Sequence, residues 1–256
     1  MTLNYKVEGQ AKLSATPIVL LHGLFGSLGN LSGLAQRLAN DFRVYSVDLP
    51  NHGQSAQFDF LSLPDHARVF AEWLDQQGLP SVALWGHSLG GKVAMEVALS
   101  APERVTKLAV ADISPVAYQR RHDDIFEALK SLQIDALKSR READEQIKTK
   151  VPSTAIRSFL LKNLVKGANG FYWRCNIAGI EASYDELINE NLAANYIRPV
   201  LFLKGQNSNY IIDDHRSAIQ LRFSDVTLKI IANAEHWIHA EKPDLVARIT
   251  RQFFSI

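Results

Sequence analysis

Two rhythms of apolar residues alternate along this chain. Short β-rich runs, PIVLL (Pro17 to Leu21), RVYSVDL (Arg43 to Leu49), SVALW (Ser81 to Trp85), KLAVADI (Lys107 to Ile113), PVLFLK (Pro199 to Lys204) and VTLKII (Val226 to Ile231), predict strands. PIVLL is apolar throughout, as a strand buried on both faces must be. Turn clusters halt the early runs at His22-Gly23, Pro50-Asn51-His52-Gly53 and Ser114-Pro115. Between the runs the spacing becomes helical. Leu31, Leu34, Ala35 and Leu38 share one stripe, and Ala67, Phe70, Ala71 and Leu74 repeat it in a helix opened by Pro64 and closed by Gly78 and Pro80. LGGKVAMEVALS, a segment near Asp213 to Leu221, and the segment from Pro243 predict further helices. Strand–helix alternation implies right-handed crossovers and a mostly parallel sheet, an α/β fold flanked by helices.

The alternation stops between about Val116 and Tyr196. That stretch is charged, and its apolar residues Phe126, Leu129, Leu132, Ile156, Phe159, Leu160 and Leu164 have helical spacing with no convincing central strand. The predicted organisation is an α/β core from residues 1–115 and 197–256, with a helical cap inserted at 116–196. No internal repeat or low-complexity tract is present.

At 256 residues the chain buries roughly three quarters of its extended surface, so the core needs no covalent staples. One cysteine, Cys175, excludes an intramolecular disulfide framework and a multi-cysteine metal site. A formal net charge of +1 gives no footprint for nucleic acid or an anionic membrane. No apolar run approaches the ~20 residues of a membrane span. The first residues lack a basic segment followed by an apolar one, so no secretory signal is read and a cytoplasmic location is expected. A monomer and a dimer are both compatible with this composition.

The chemistry begins at Trp85-Gly86-His87-Ser88-Leu89-Gly90-Gly91. This segment sets G-x-S-x-G between a predicted strand and a predicted helix. In that context the pattern is a sharp turn that lifts a serine Oγ above the sheet edge, with flanking glycines where a Cβ would collide; a serine N-cap in a glycine turn is the plainer alternative. A serine hydroxyl is a weak nucleophile and needs a base. Of eight histidines, His236 and His239 lie after the last strand, and His236 is nearer its end and better placed to lean over the sheet edge. His22 and His52 are expected to brace their loops, and His87 to point away from Ser88 Oγ.

The carboxylate that orients the base is less obvious. The loop after PVLFLK reads Gly205-Gln206-Asn207-Ser208-Asn209, with no acid, and Asp213 and Asp214 look like a helix cap and first-turn pair. Asp112 ends the buried run KLAVADI, where an ionised carboxylate requires partners, and it is the expected acid; tying down the Ser114-Pro115 loop is its alternative role. The two amides for a developing oxyanion are expected from Leu89, at a helix start, and Leu24, with Phe25 N–H as second choice. Phe25 and Trp237 either wall the acyl pocket or belong to the core.

HGLFGS, D-x-x-NHG-x-S, GHS-x-GG-K, AD-I-S-P-V, GQNSNY and HW-x-HAEKP together resemble the α/β-hydrolase superfamily, and within it the small bacterial acyl-ester and acyl-CoA esterase branch. The resemblance spans nearly the whole chain and is least specific in the insertion. It implies an acid after the earlier strand, hence Asp112, with Ser88 as nucleophile, His236 as base and a helical cap over the site. Glu235 departs from the glycine commonly found before the catalytic histidine of that branch. The implied reaction is hydrolysis of a small-molecule carboxylic ester or acyl-CoA thioester through an acyl-enzyme, with no metal or organic cofactor. Arg120 and Arg121 are candidates to grip the phosphates of a coenzyme A leaving group, a solvated charged face being the alternative. Two rival readings of the same fold are carbon–carbon bond hydrolysis and ligand perception without turnover. Ser88 in place of an aspartate disfavours dehalogenase and epoxide-hydrolase chemistry.

Overall fold

The computed structural model describes residues 2–10 and 16–255. Among these, the strands are β1 (Tyr5–Glu8), β2 (Ile18–Leu21), β3 (Val44–Val47), β4 (Val82–His87), β5 (Val105–Ala111), β6 (Leu164–Gly167), β7 (Gly170–Trp173), β8 (Tyr196–Gly205) and β9 (Phe223–Ile231). The α-helices are α1 (Ser32–Leu38), α2 (Leu63–Gln76), α3 (Leu89–Ser100), α4 (Asp123–Ser131), α5 (Arg140–Ile147), α6 (Thr154–Leu160), α7 (Ile177–Ala182), α8 (Tyr184–Leu187), α9 (Arg216–Arg222), α10 (Ile238–Glu241) and α11 (Pro243–Ser255). None of these helices is long and apolar enough to cross a membrane.

Seven strands form one sheet in the order β1-β3-β2-β4-β5-β8-β9. Only β1 runs antiparallel, along β3. Along β2, Val19 and Leu21 join one apolar cluster while Ile18 and Leu20 join another, all with no exposed surface. The sheet therefore has two covered faces, one under α2 and α3 and the other under α1 and α11, which is why its central strands read as unbroken apolar runs.

Pairing across the sheet fixes what its C-terminal edge presents. His87 sits opposite Ala111, and Ala111 opposite Leu203. The segments that leave β4, β5 and β8 at Ser88, Asp112 and Gly205 therefore start side by side. In open α/β sheets that edge is where ligands bind.

Three features depart from the sequence reading. β1 was not foreseen; YKVE alternates poorly and is mostly exposed. The insertion is not wholly helical, because β6 and β7 form a separate antiparallel hairpin, with Val165 opposite Tyr172 and Gly170 at a φ of 120°. The signal was present in LVKGANGFYW, apolar and aromatic residues around Asn169-Gly170, but the helical spacing that ends at Leu164 masked it. Third, Asp213–His215 is a 3₁₀ turn and the helix proper starts at Arg216.

Candidate active site

β4 runs straight into Ser88, whose φ of 52° and ψ of −118° are foreign to both strand and helix, and α3 starts at the next residue. The reversal is so tight that a methyl group on Gly86 would lie 2.1 Å from Gly90 O, and one on Gly90 2.3 Å from Leu21 O. Only glycine fits at either place. Ser88 N–H donates to Ala111 O at 3.0 Å, pinning the turn to β5. Five non-glycine residues among those described have positive φ; the three that are not asparagine are Phe25 (57°), Ser88 and Asp112 (53°), and all three are at this edge. Such backbone costs about 1–3 kcal/mol per residue and persists where the surroundings over-determine it.

Asp112 has no exposed surface. Its Oδ1 accepts from Gly205 N–H at 2.8 Å, and its Oδ2 accepts from Ser208 Oγ–H and from His236 Nδ1–H, the latter at 2.8 Å. The carboxylate thus fastens the loop after β8, not the Ser114-Pro115 loop of its alternative reading, and also holds the imidazole. With Nδ1 carrying the proton, the His236 Nε2 lone pair is left for another partner. Tyr210 stacks on the face of that imidazole, ring centres 4.0 Å apart and planes 21° apart. His239 is placed differently: it is buried against His87, ring centres 4.5 Å apart, with burial pushing its pKa down to about 4. Asp213 and Asp214 begin the 3₁₀ turn beyond the loop.

Ser88 and His236 line one cleft of about 640 Å³, together with Phe25 and Trp237. A recess of about 40 Å³ adjoins it at Ser88, lined also by Leu89, Ile113 and Tyr118. Ser88, Leu24 and Tyr210 border both spaces, whereas His236 borders only the larger. Phe25 is buried with its ring edge-on to Phe126, and Trp237 is half-buried against Phe159 of α6.

Two histidines shape the amide side. His22 Nδ1–H donates to Gly23 O at 2.9 Å while its Nε2 accepts Leu49 N–H at 3.0 Å. His52 Nδ1–H donates to Pro50 O at 2.8 Å while its Nε2 accepts Phe25 N–H at 3.1 Å. Each ring needs one bare nitrogen and so must be neutral; burial lowers both pKa values, that of His52 strongly. The Phe25 amide, second choice as an oxyanion donor, is therefore already occupied. Leu89 N–H, at the first position of α3, has no acceptor within its own helix. Asn163, from the insertion, completes the loop by donating its Nδ2–H to Phe25 O at 2.7 Å. His87 Nε2–H donates to His236 O at 2.9 Å, so its ring braces the His236 backbone.

The structure separates Arg120 from Arg121. Arg120 is bound to Asp123 and Asp185 at 2.7 and 2.6 Å and borders neither space beside Ser88, so its guanidinium is committed to carboxylates. Arg121 borders both, lying 5.1 Å above the Tyr210 ring. Ser208, Tyr210 and Asn163 were missed in the sequence. Ser208 and Tyr210 stand in the very loop searched for an acid, and a search for carboxylates alone passes over them. Among the described residues no group of three or more His, Cys, Asp or Glu side chains could hold a metal ion.

A family model described as alpha/beta hydrolase fold matches residues 16–243. The chain belongs to the α/β-hydrolase family. It is 35% identical over 257 residues to Esterase YbfF of Escherichia coli (strain K12), covering all of both chains. It is 37% identical over 253 residues to the sn-1-specific diacylglycerol lipase ABHD11 of Mus musculus, covering 95% of this chain and 82% of the relative. Among solved structures a marine microorganism esterase superposes with a TM-score of 0.94 at 35% identity, covering 98% of each chain. Membership of the family rests on the whole chain rather than on the serine motif alone.

Proposed function

We propose that this protein hydrolyses carboxylic esters or thioesters through an acyl-enzyme on Ser88, with His236 as base and Asp112 as its orienting acid. The observation that carries this reading is the His236–Asp112 hydrogen bond beside Ser88, at the ends of adjacent strands and over one cleft. Esterase and lipase names among relatives at 35–37% identity support it.

His236 Nε2 takes the proton from Ser88 Oγ as the Oγ–carbon bond forms. The carbonyl electrons move onto oxygen, where the Leu24 and Leu89 amides receive the charge. When the carbon–oxygen or carbon–sulfur bond breaks, the His236 proton goes to the departing alcohol or thiol. Water then repeats the sequence: its proton passes to His236, its oxygen bonds to the acyl carbon, and Ser88 Oγ recovers the proton. Asp112 keeps its negative charge and steadies the imidazolium, while Ser208, the Gly205 amide and the stacked Tyr210 keep the pair aligned.

The position of His236 also orients the substrate. The group it protonates must depart on its own side, into the large cleft walled by Phe25 and Trp237. The acyl group then occupies the recess at Ser88, whose volume of about 40 Å³ suits a tail of few carbons. Residues 116–196 act as the cap, since α4 and α6 supply Ile125, Ile156 and Phe159 to the cleft. The test is kcat/KM across nitrophenyl esters and simple thioesters of increasing acyl length. Turnover should be highest for short acyl groups and absent from Ser88→Ala; turnover that survives in that variant contradicts the mechanism, and a preference for long chains contradicts the orientation.

A further inference from the structure

The large cleft does not end at Trp237. Gly29, Asn30 and Lys162 border both that cleft and a second, larger space of about 880 Å³ between the first strands of the core and helices α5 and α6. Its lining is rich in cations. Arg140, Arg141, Lys162 and Arg174 all face it, and among the described residues none of the four meets a carboxylate. Arg140 Nε–H donates to Leu164 O at 2.7 Å and Arg174 Nη2–H donates to Lys162 O at 2.9 Å, so each is anchored through one nitrogen. The buried Nε of Arg174 has no partner.

The acids lining the same space are already engaged. Asp144 holds Arg157 at 2.8 Å, and Asp48 accepts from Leu28 N–H, Gln54 N–H and Asn4 Nδ2–H at 2.7 to 3.0 Å. Lys6 is the one lining cation with an acid partner, Glu8. For a chain of net charge +1, this is a local excess of unpaired positive charge. Guanidinium forks match phosphate oxygens in shape and in charge.

Building on the proposed hydrolase reading, we infer that this groove holds the phosphate-bearing part of a long leaving group, whose neutral middle crosses the cleft past Trp237. The substrate class is a short-chain acyl ester or thioester of a phosphorylated alcohol or thiol. The groove takes the place of the Arg120–Arg121 pair, one member of which is committed elsewhere.

The experiment compares matched substrates in wild type and in Arg140→Gln/Arg141→Gln, both exposed positions. One arm sets butyryl-coenzyme A against butyryl-N-acetylcysteamine, the same thioester without phosphates. The other sets butyryl-glycerol phosphate against butyryl-glycerol. The double variant should lose about tenfold in kcat/KM, mostly through KM, on the phosphate-bearing member of one arm and less than about twofold on its neutral partner. Raising the salt should reduce the wild-type preference in the same arm. The arm that responds identifies the source of the phosphate. Equal losses on charged and neutral partners, or no loss on either phosphate substrate, overturn the groove assignment. Binding of 3′,5′-adenosine diphosphate and of glycerol 3-phosphate, followed by calorimetry in wild type and in the double variant, is independent of turnover. Binding of either that the variant weakens supports the groove even if the hydrolase reading fails. No binding of either to the wild type overturns it.

Discussion

The sheet edge and the insertion facing it are built on different principles. At the edge the polar groups that position Ser88 and His236 are held by several partners each. Asp112 has three donors, His236 is bonded, stacked and braced from behind by His87, and the loop carrying Leu24 is fixed by His22, His52 and Asn163. On the insertion Arg140 and Arg174 are each anchored through one nitrogen, and the large spaces lie where the insertion faces the core. Chemistry demands positions fixed to fractions of an ångström, which buried and mutually bonded groups supply. Recognition of a long leaving group tolerates looser contact. Substitutions at the edge should therefore change kcat, and those on the insertion should change KM.

The largest effect breaks the edge outright. Ser88→Ala should lower kcat/KM on nitrophenyl butyrate by on the order of 10⁵, to the blank rate. Asp112→Asn should follow at about 10⁴, because an amide that presents its NH₂ to Nδ1 favours the wrong tautomer, while Asp213→Asn and Asp214→Asn stay near wild type. Loss at Asp213 or Asp214 with Asp112→Asn active would move the acid to the later loop.

That pair of outcomes bears on what the sequence could reveal. Ser88 was legible because G-x-S-x-G sat between a strand and a helix, a context fixed by local backbone sterics. Asp112 was legible because a carboxylate closing a buried strand must find partners. The partners themselves were not legible: Ser208 and Tyr210 lie almost a hundred residues from Asp112 and meet it and His236 only through the β5–β8 pairing. Arg120 illustrates the reverse error. Its neighbour Asp123 is close in the sequence, but Asp185 arrives only when the segment before α4 meets α8. Sequence order carries local geometry well and the insertion's packing poorly, since no short pattern fixes how its helices and hairpin approach the core.

The buried neutral histidines sharpen the comparison through pH. Burial lowers the pKa of His22, His52, His66 and His87 in the folded protein, while the unfolded chain titrates near the ordinary value of about 6.5. Below that value the unfolded state takes up protons that the native state refuses. Stability is thus fully present above about pH 6.5 and lost as pH falls, at up to about 1.4 kcal/mol per pH unit for each such histidine. Denaturant unfolding at pH 7.5 and 5.0 should show this loss, and His52→Ala should reduce it. The same variant should cost about 1–3 kcal/mol at pH 7.5 by stranding Phe25 N–H, and should lower kcat through the oxyanion loop. A stability flat across that range would contradict the neutral-strut assignment.

Smaller effects follow at the periphery of each region. Ser208→Ala removes one of three donors to Asp112 and should cost about tenfold in kcat with little change in KM. A KM effect instead would make Ser208 a substrate contact. Arg120→Ala should change kcat/KM on any ester or thioester by less than about twofold, since its partners are exposed surface carboxylates.

The central claim is that Ser88 is a nucleophile made reactive by His236 and Asp112. Stoichiometric reaction with a fluorophosphonate, located by peptide mass spectrometry, tests it directly. A single adduct on the peptide carrying Ser88 is the predicted result, with labelling strongly slowed in His236→Ala even though that protein remains folded by circular dichroism. An adduct on another residue, or labelling of Ser88 at the same rate without His236, would contradict the account.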